Sequence, residues 1–182
     1  MQIEKLLNVF TEGRQKLLSL LNSLLGKDTT KNKQNDVDTI NPAQIAFKRL
    51  KKYNKNSLLE NYALYMGKCQ ILELGLANLL VDNSEYEHDQ VENWSMGRIV
   101  NELERIRLRE DFIAMLGPII QSRNHIAHEF LANRVITMEL TGGIGFHSDV
   151  SFLSKAAFEL EQALIIFAHM QEKNGDWFFP ET

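Results

Sequence analysis

The chain has 182 residues, 44% hydrophobic and 24% charged, with a formal net charge of -4. That is enough chain to bury one core unaided, and the negative balance excludes a broad electrostatic grip on nucleic acid, leaving only a local basic patch for that purpose. The single cysteine, Cys69, excludes an internal disulfide and, set among apolar residues at helical spacing, reads as an inert core thiol.

From the N-terminus, Leu6, Leu7, Phe10, Leu17, Leu21, Leu24 and Leu25 recur at helical spacing. Residues 1–25 therefore read as an amphipathic helix, bent at Gly13, whose apolar face would pack on the main body or on a second copy. Glu4, Lys5, Glu12, Arg14 and Lys16 interrupt that face, so it does not read as a secretory leader. No stretch approaches the roughly 18 apolar residues that span a bilayer, and a cytoplasmic protein without membrane contact is expected. Residues 26–40, "GKDTTKNKQNDVDTI", are polar and read as a linker. The main domain is placed at 41–182.

Asn41 before Pro42 is a helix start, with asparagine as cap and proline at the first position. The helix carries "FKRLKKYNKN". Its cations Lys48, Arg49, Lys51 and Lys52 are either a solvated face or a landing strip for RNA phosphates. Ser57 caps a long helix over 58–81 with Tyr62, Met66, Leu72, Leu76, Leu79 and Leu80 inward. A polar loop follows. Trp94 and Ser95 open a helix with Met96, Ile99, Val100 and Leu103 inward, and Arg98, Glu102, Arg105 and Arg109 at ion-pair spacing.

A further helix spans roughly 110–133, with a kink or restart near Gly117 because Pro118 lies inside it. β-Branched residues around Gly142-Gly143 predict a small β-hairpin near 135–147. The last helix is capped by Ser148 or Asp149, with Phe152, Leu153, Ala156, Leu160, Ala163, Leu164 and Phe167 inward. The fold class is all-α: an up-and-down helical bundle with that hairpin as an insertion.

The chemistry concentrates in "QSRNHIAHEFLANR", residues 121–134. A metal site at His125, His128 and Glu129 lacks the further ligands that zinc needs, so no metal and no cofactor are expected. The "GGIG" at 142–145 has no following Lys-Ser/Thr and reads as a turn. No serine elbow exists, and Cys69 has no identifiable catalytic partner. What remains is Asn124 and His128, four apart on one helical face, with Arg123 about 100° away and long enough to reach the same place. A guanidinium can hold a phosphate bidentately, and an imidazole can move a proton near neutrality. The bland reading is a helix whose polar residues only pair with neighbours. Glu73 projects from an apolar stripe and is either a surface-edge glutamate or a carboxylate needing a partner, for which Arg123 or His128 would serve.

"RNHIAH", within "SRNHIAHEF", resembles the R-x4-6-H signature of the HEPN superfamily, and the preceding "GKCQILELGLANLL" is similar to its long helix. The likeness covers about residues 42–173 and leaves 1–40 and "GGIG" unexplained. It implies a dimeric helical bundle acting as a metal-independent endoribonuclease, a toxin or antiviral-defence enzyme with Arg123, Asn124 and His128 at the catalytic site; Glu73, from its place on the apolar stripe, is added as a fourth candidate catalytic residue. The likeness also implies an RNA substrate and a cognate antitoxin or defence partner. Other family members are non-catalytic sensors or protein-binding modules, and this alternative stays open. Where some toxins carry a modifiable tyrosine two residues after the histidine, this chain has Phe130.

Overall fold

Asn41 starts the first helix as expected: its side chain accepts a hydrogen bond from the Gln44 amide at 3.1 Å, and Pro42 occupies the first turn. The computed structural model describes residues 41–51, 53–141, 146–172 and 177–178. The expected helix at 1–25, the linker at 26–40 and Lys52 lie outside these residues. The elements are α1 (Pro42–Leu50), a 3₁₀ turn (Tyr53–Lys55), α2 (Leu58–Asp82), the single turn α3 (His88–Val91), α4 (Met96–Arg105), α5 (Glu110–His125), a π-helical turn (Ile126–Phe130), α6 (Leu131–Thr141) and α7 (Phe146–Glu172). No described helix is long and apolar enough to cross a membrane.

Capping sets the register of the long central helix. Ser57 Oγ accepts from the Glu60 amide at 3.2 Å, and the Ser57 amide donates to Glu60 Oε2 at 2.6 Å, closing a capping box. Those hydrogen bonds hold the Glu60 carboxyl below its usual range. Ser95 caps α4 in the same way, accepting from the Arg98 amide. The core forms where α2 meets α4, α5 and α7. Leu72, Leu76 and Leu80 pack with Ile99, Leu103, Leu116, Ile119, Leu160 and Phe167, all essentially buried. The α4–α5 turn holds Arg107 at a φ of 66°, a left-handed conformation uncommon outside glycine. Beside it, Leu108 and Phe178 make an isolated antiparallel bridge, and the Arg109 amide donates to the Trp177 carbonyl at 3.0 Å. Trp177 closes an aromatic cluster with Phe112 and Phe167, at ring separations of 5.7 and 5.1 Å.

Gly75 of α2 lies tightly against Phe167 of α7. A Cβ there would lie 2.8 Å from Phe167 Cε1 and 2.9 Å from its Cζ. Phe167 is wedged between rings and cannot retreat freely. Gly75→Ala gains helix propensity of about 1 kcal/mol but overpacks this seam, which costs about 1–3 kcal/mol. The variant is expected to melt a few degrees below the wild type; an unchanged or higher melting temperature would show that Phe167 yields without cost.

Three expectations are corrected. The β-hairpin near 135–147 does not form: residues 135–141 continue helix α6, and α7 already begins at Phe146. Only 142–145 of that span lie outside the described residues. The β-branched Val135, Ile136 and Thr137 disfavour helix by a few tenths of a kcal/mol each, too little to stop a helix already propagating. Helix α6 ends at Thr141, the residue before the glycine pair. Neither Ser148 nor Asp149 caps α7; both lie inside it, and Asp149 pairs with Arg134 of α6 at 3.3 Å. Of the kink or restart expected near Gly117, the restart does not occur: α5 runs unbroken from Glu110 through the exposed Pro118 to His125.

Candidate functional site

Ile126 and Phe130 fix the motif to the bundle. Both are buried, and the Phe130 ring stacks on Tyr62 at 6.2 Å. Phe130 is thus a core anchor. His128 lies midway between the two anchors in sequence and is exposed. Asn124, one turn upstream, is exposed as well.

The π turn affects the spacing directly. Arg123 and His128 are five residues apart, which in a regular α-helix places them about 140° apart around the axis. A turn closed by i→i+5 hydrogen bonds carries more residues per revolution and narrows that angle. It also keeps Asn124 and His128, four apart, close to the same line. Such single-turn π bulges recur at functional sites.

Arg123 faces α2. Its Nη2 lies 3.6 Å from Glu73 Oε2, and its Nη1 donates to Asn124 Oδ1 at 3.1 Å. The Glu73 side chain is 18% exposed and that of Arg123 24%, so the pair is half-sheltered and still reachable from solvent. A guanidinium has five N–H donors, and these contacts leave donors for a phosphate. The structure thus brings Glu73, Arg123 and Asn124 together and sets His128 on the adjoining turn.

His125 takes a different direction. Its Nδ1 is 3.1 Å from Glu129 Oε2, and its ring meets the edge of Phe152 on α7 at 5.0 Å. His125 is thus engaged with Glu129 and Phe152, while His128 is exposed. Among the described residues no three His, Cys, Asp or Glu side chains converge in a way that could hold a metal ion.

Tyr65, Cys69 and Glu73 fall at successive turns of α2, and the Arg123 charge acts on all three. Burial pushes the Cys69 thiol up to about 12 from 9.0, against opposing pulls from a weak contact with Tyr65 and from Arg123. Burial likewise raises Tyr65, whose Oη makes no conventional hydrogen bond among the described residues. A raised acid stabilises the fold fully below its unfolded value and loses that contribution as pH climbs toward the folded value. Chemical denaturation should therefore show stability falling from about pH 9 upward, less steeply in Cys69→Ala. Identical slopes would show that the thiol is not protected by the fold.

The basic run divides. Arg49 points into the bundle, its Nη1 3.4 Å from Glu161 Oε2. Lys51 is exposed and lies 5.9 Å from the Phe47 ring centroid, and Lys48 is exposed. Arg49 is thus a structural cation as well as a member of the expected RNA track.

Glu161 is the site that the sequence reading missed. It is 1% exposed, the one buried charged side chain among the described residues, and it is met by Lys68 Nζ, Arg49 and the Tyr53 hydroxyl, which donates at 3.1 Å. Lys68 also sits 5.1 Å from the Tyr53 ring centroid. Burial and the facing carboxylate raise the Tyr53 phenol above its ordinary range. The cluster ties α1 and the 3₁₀ turn to α2 and α7. Its signal was present in the sequence: Glu161 stands between Ala157 and Ile165 at i±4 on an apolar stripe, as Glu73 does on α2.

Comparison with known proteins finds no matching family model, no matching curated protein and no matching solved structure. The resemblance to HEPN proteins accordingly rests on this chain's own residues.

Proposed function

We propose that this chain is a metal-independent endoribonuclease of the HEPN type, acting as a toxin or defence enzyme, and that its active form is a homodimer. The observation that carries the reading is the grouping of Arg123 and Asn124 with Glu73, one turn from an exposed His128 across a π turn. In this mechanism a histidine base takes the proton of the ribose 2′-OH, and that oxygen attacks the adjacent phosphorus. The bond from phosphorus to the 5′-oxygen breaks, and a histidine acid protonates the departing oxygen. The products are a 2′,3′-cyclic phosphate and a 5′-hydroxyl. Arg123 holds charge on the phosphoryl oxygens, Glu73 and Asn124 hold Arg123, and Lys48 and Lys51 extend the RNA track. DNA, without a 2′-OH, is not cut.

One chain offers one such histidine, and an acid and a base are both required. A two-fold dimer supplies the second. Supporting this, α6 continues directly from the π turn and exposes Leu131, Val135 and Met138 along one side, with Val135 61% exposed. An apolar face of that kind, starting three residues after His128, suits a second copy.

The test is RNA incubated with purified protein in EDTA: wild type cuts, while Arg123→Ala and His128→Ala do not. Uncut RNA from all three across several substrates would contradict the reading. The second reading, a non-catalytic dimeric sensor or protein-binding module on the same fold, is favoured by the pairing of the Arg123 charge with Glu73. It predicts a dimer that leaves RNA intact.

A further inference from the structure

A cleft of about 690 Å³ opens beside the site, between α2 and the segment from His88 to Ser95. Arg123 and Glu73 form part of its wall, so it begins where the proposed scissile phosphate would sit. Leu74, Ala77, Val91 and Ile99 supply apolar lining. Trp94 forms another part of the wall, held by the Arg98 guanidinium 3.7 Å from its ring centroid and by the Tyr86 ring at 5.0 Å. The size is that of a small-molecule site with a few polar groups that orient the ligand.

The charges lining the cleft restrict the ligand. Glu73, Asp89 and Glu92 bring three carboxylates against the single guanidinium of Arg123. A second phosphate would be repelled, whereas a neutral ring with N–H donors would be held. The amides of Gln70, Asn78 and Asn93 make no hydrogen bond among the described residues and offer donors and acceptors toward the same space. A nucleobase meets all these conditions: flat apolar faces, a polar edge, and a phosphate one sugar away for Arg123.

We propose that this cleft seats the nucleobase flanking the scissile phosphate and selects guanine. Guanine presents N1–H and N2–H₂ side by side, a pair of donors matching the two oxygens of one carboxylate. Uracil offers a single N–H between two carbonyl oxygens, which carboxylates oppose. The assignment to RNA rests on the ribonuclease reading, but nucleotide binding can be measured without cleavage.

The experiment is calorimetric titration of the full chain with GMP, UMP and guanosine. The expected result is saturable GMP binding, with UMP about 10-fold weaker or more, the discrimination typical of a bidentate base contact. Guanosine should bind more weakly than GMP, and Arg123→Gln should remove that difference. Asp89→Asn combined with Glu92→Gln, both exposed positions, should erase the preference for GMP over UMP without altering the melting temperature. No binding of any nucleotide at millimolar concentration, equal affinity for GMP and UMP, or a preference unchanged in the double variant would overturn the proposal. GMP binding by a chain that cuts no RNA would uphold the cleft and remove the nuclease reading. RNA cutting with no nucleotide preference would do the reverse.

Discussion

His128→Ala is expected to lower the rate of RNA cleavage by about 10²–10⁴-fold, the usual contribution of a positioned general acid or base. The side chain is exposed, so its removal should leave stability within about 0.5 kcal/mol of the wild type. Loss of activity with an unchanged melting temperature would therefore report chemistry. Arg123→Ala should cost a similar factor through lost phosphoryl stabilisation, but it also strands Glu73, so some stability is lost with it. Arg123→Lys separates the two effects. It keeps a cation for Glu73 while losing the planar fork, so it should restore stability more completely than rate. A His128→Ala protein that cuts at the wild-type rate would place the activity elsewhere.

Glu161→Ala is expected to be the most damaging single change to the fold. It leaves Lys68 and Arg49, whose side chains are 13% and 18% exposed, facing each other without their shared carboxylate, and it removes the acceptor for the Tyr53 hydroxyl. Breaking a buried ion pair from one side costs about 3–5 kcal/mol. For a chain of this size that corresponds to a fall of roughly 6–20 °C in melting temperature. Glu161→Gln should be milder, since an amide oxygen still accepts from Tyr53 and Lys68. Thermal unfolding followed by circular dichroism measures both. A fall of less than 2 °C in Glu161→Ala would show that the two cations reach solvent and need no carboxylate.

These two sites show how far the sequence could be read. The helix starts were legible because caps are local: Asn41, Ser57 and Ser95 each bond an amide three residues on. The inward positions of α4 were legible from period alone, and Met96, Ile99, Val100 and Leu103 are all buried. Cys69 was legible as a core thiol and is buried. Tyr65 shows the limit: it is buried because neighbouring helices cover that face of α2, which periodicity along one helix does not reveal. The hairpin misreading has the same origin. Val135 to Thr137 have strand propensity, but a helix entering from Glu110 had already met the cost of nucleation.

At the site, Asn124 and His128 were expected on one face from their spacing. Glu73 was singled out as a carboxylate needing a partner, and it pairs with Arg123. The π turn left no sequence signal, since one extra residue in a turn preserves the order of apolar and polar positions. Arg49 was grouped with its basic neighbours because nothing local marks which cation finds a carboxylate 112 residues away.

The central claim is that Arg123 and His128 cut RNA through its own 2′-OH. The most direct measurement is the chemical identity of the new 3′ end, obtained by mass spectrometry after digestion by the wild-type protein in EDTA. The account predicts a 2′,3′-cyclic phosphate, with no cleavage at any position where the 2′-OH is replaced by hydrogen. A 3′-hydroxyl end, or cleavage at a 2′-deoxy position, would contradict it.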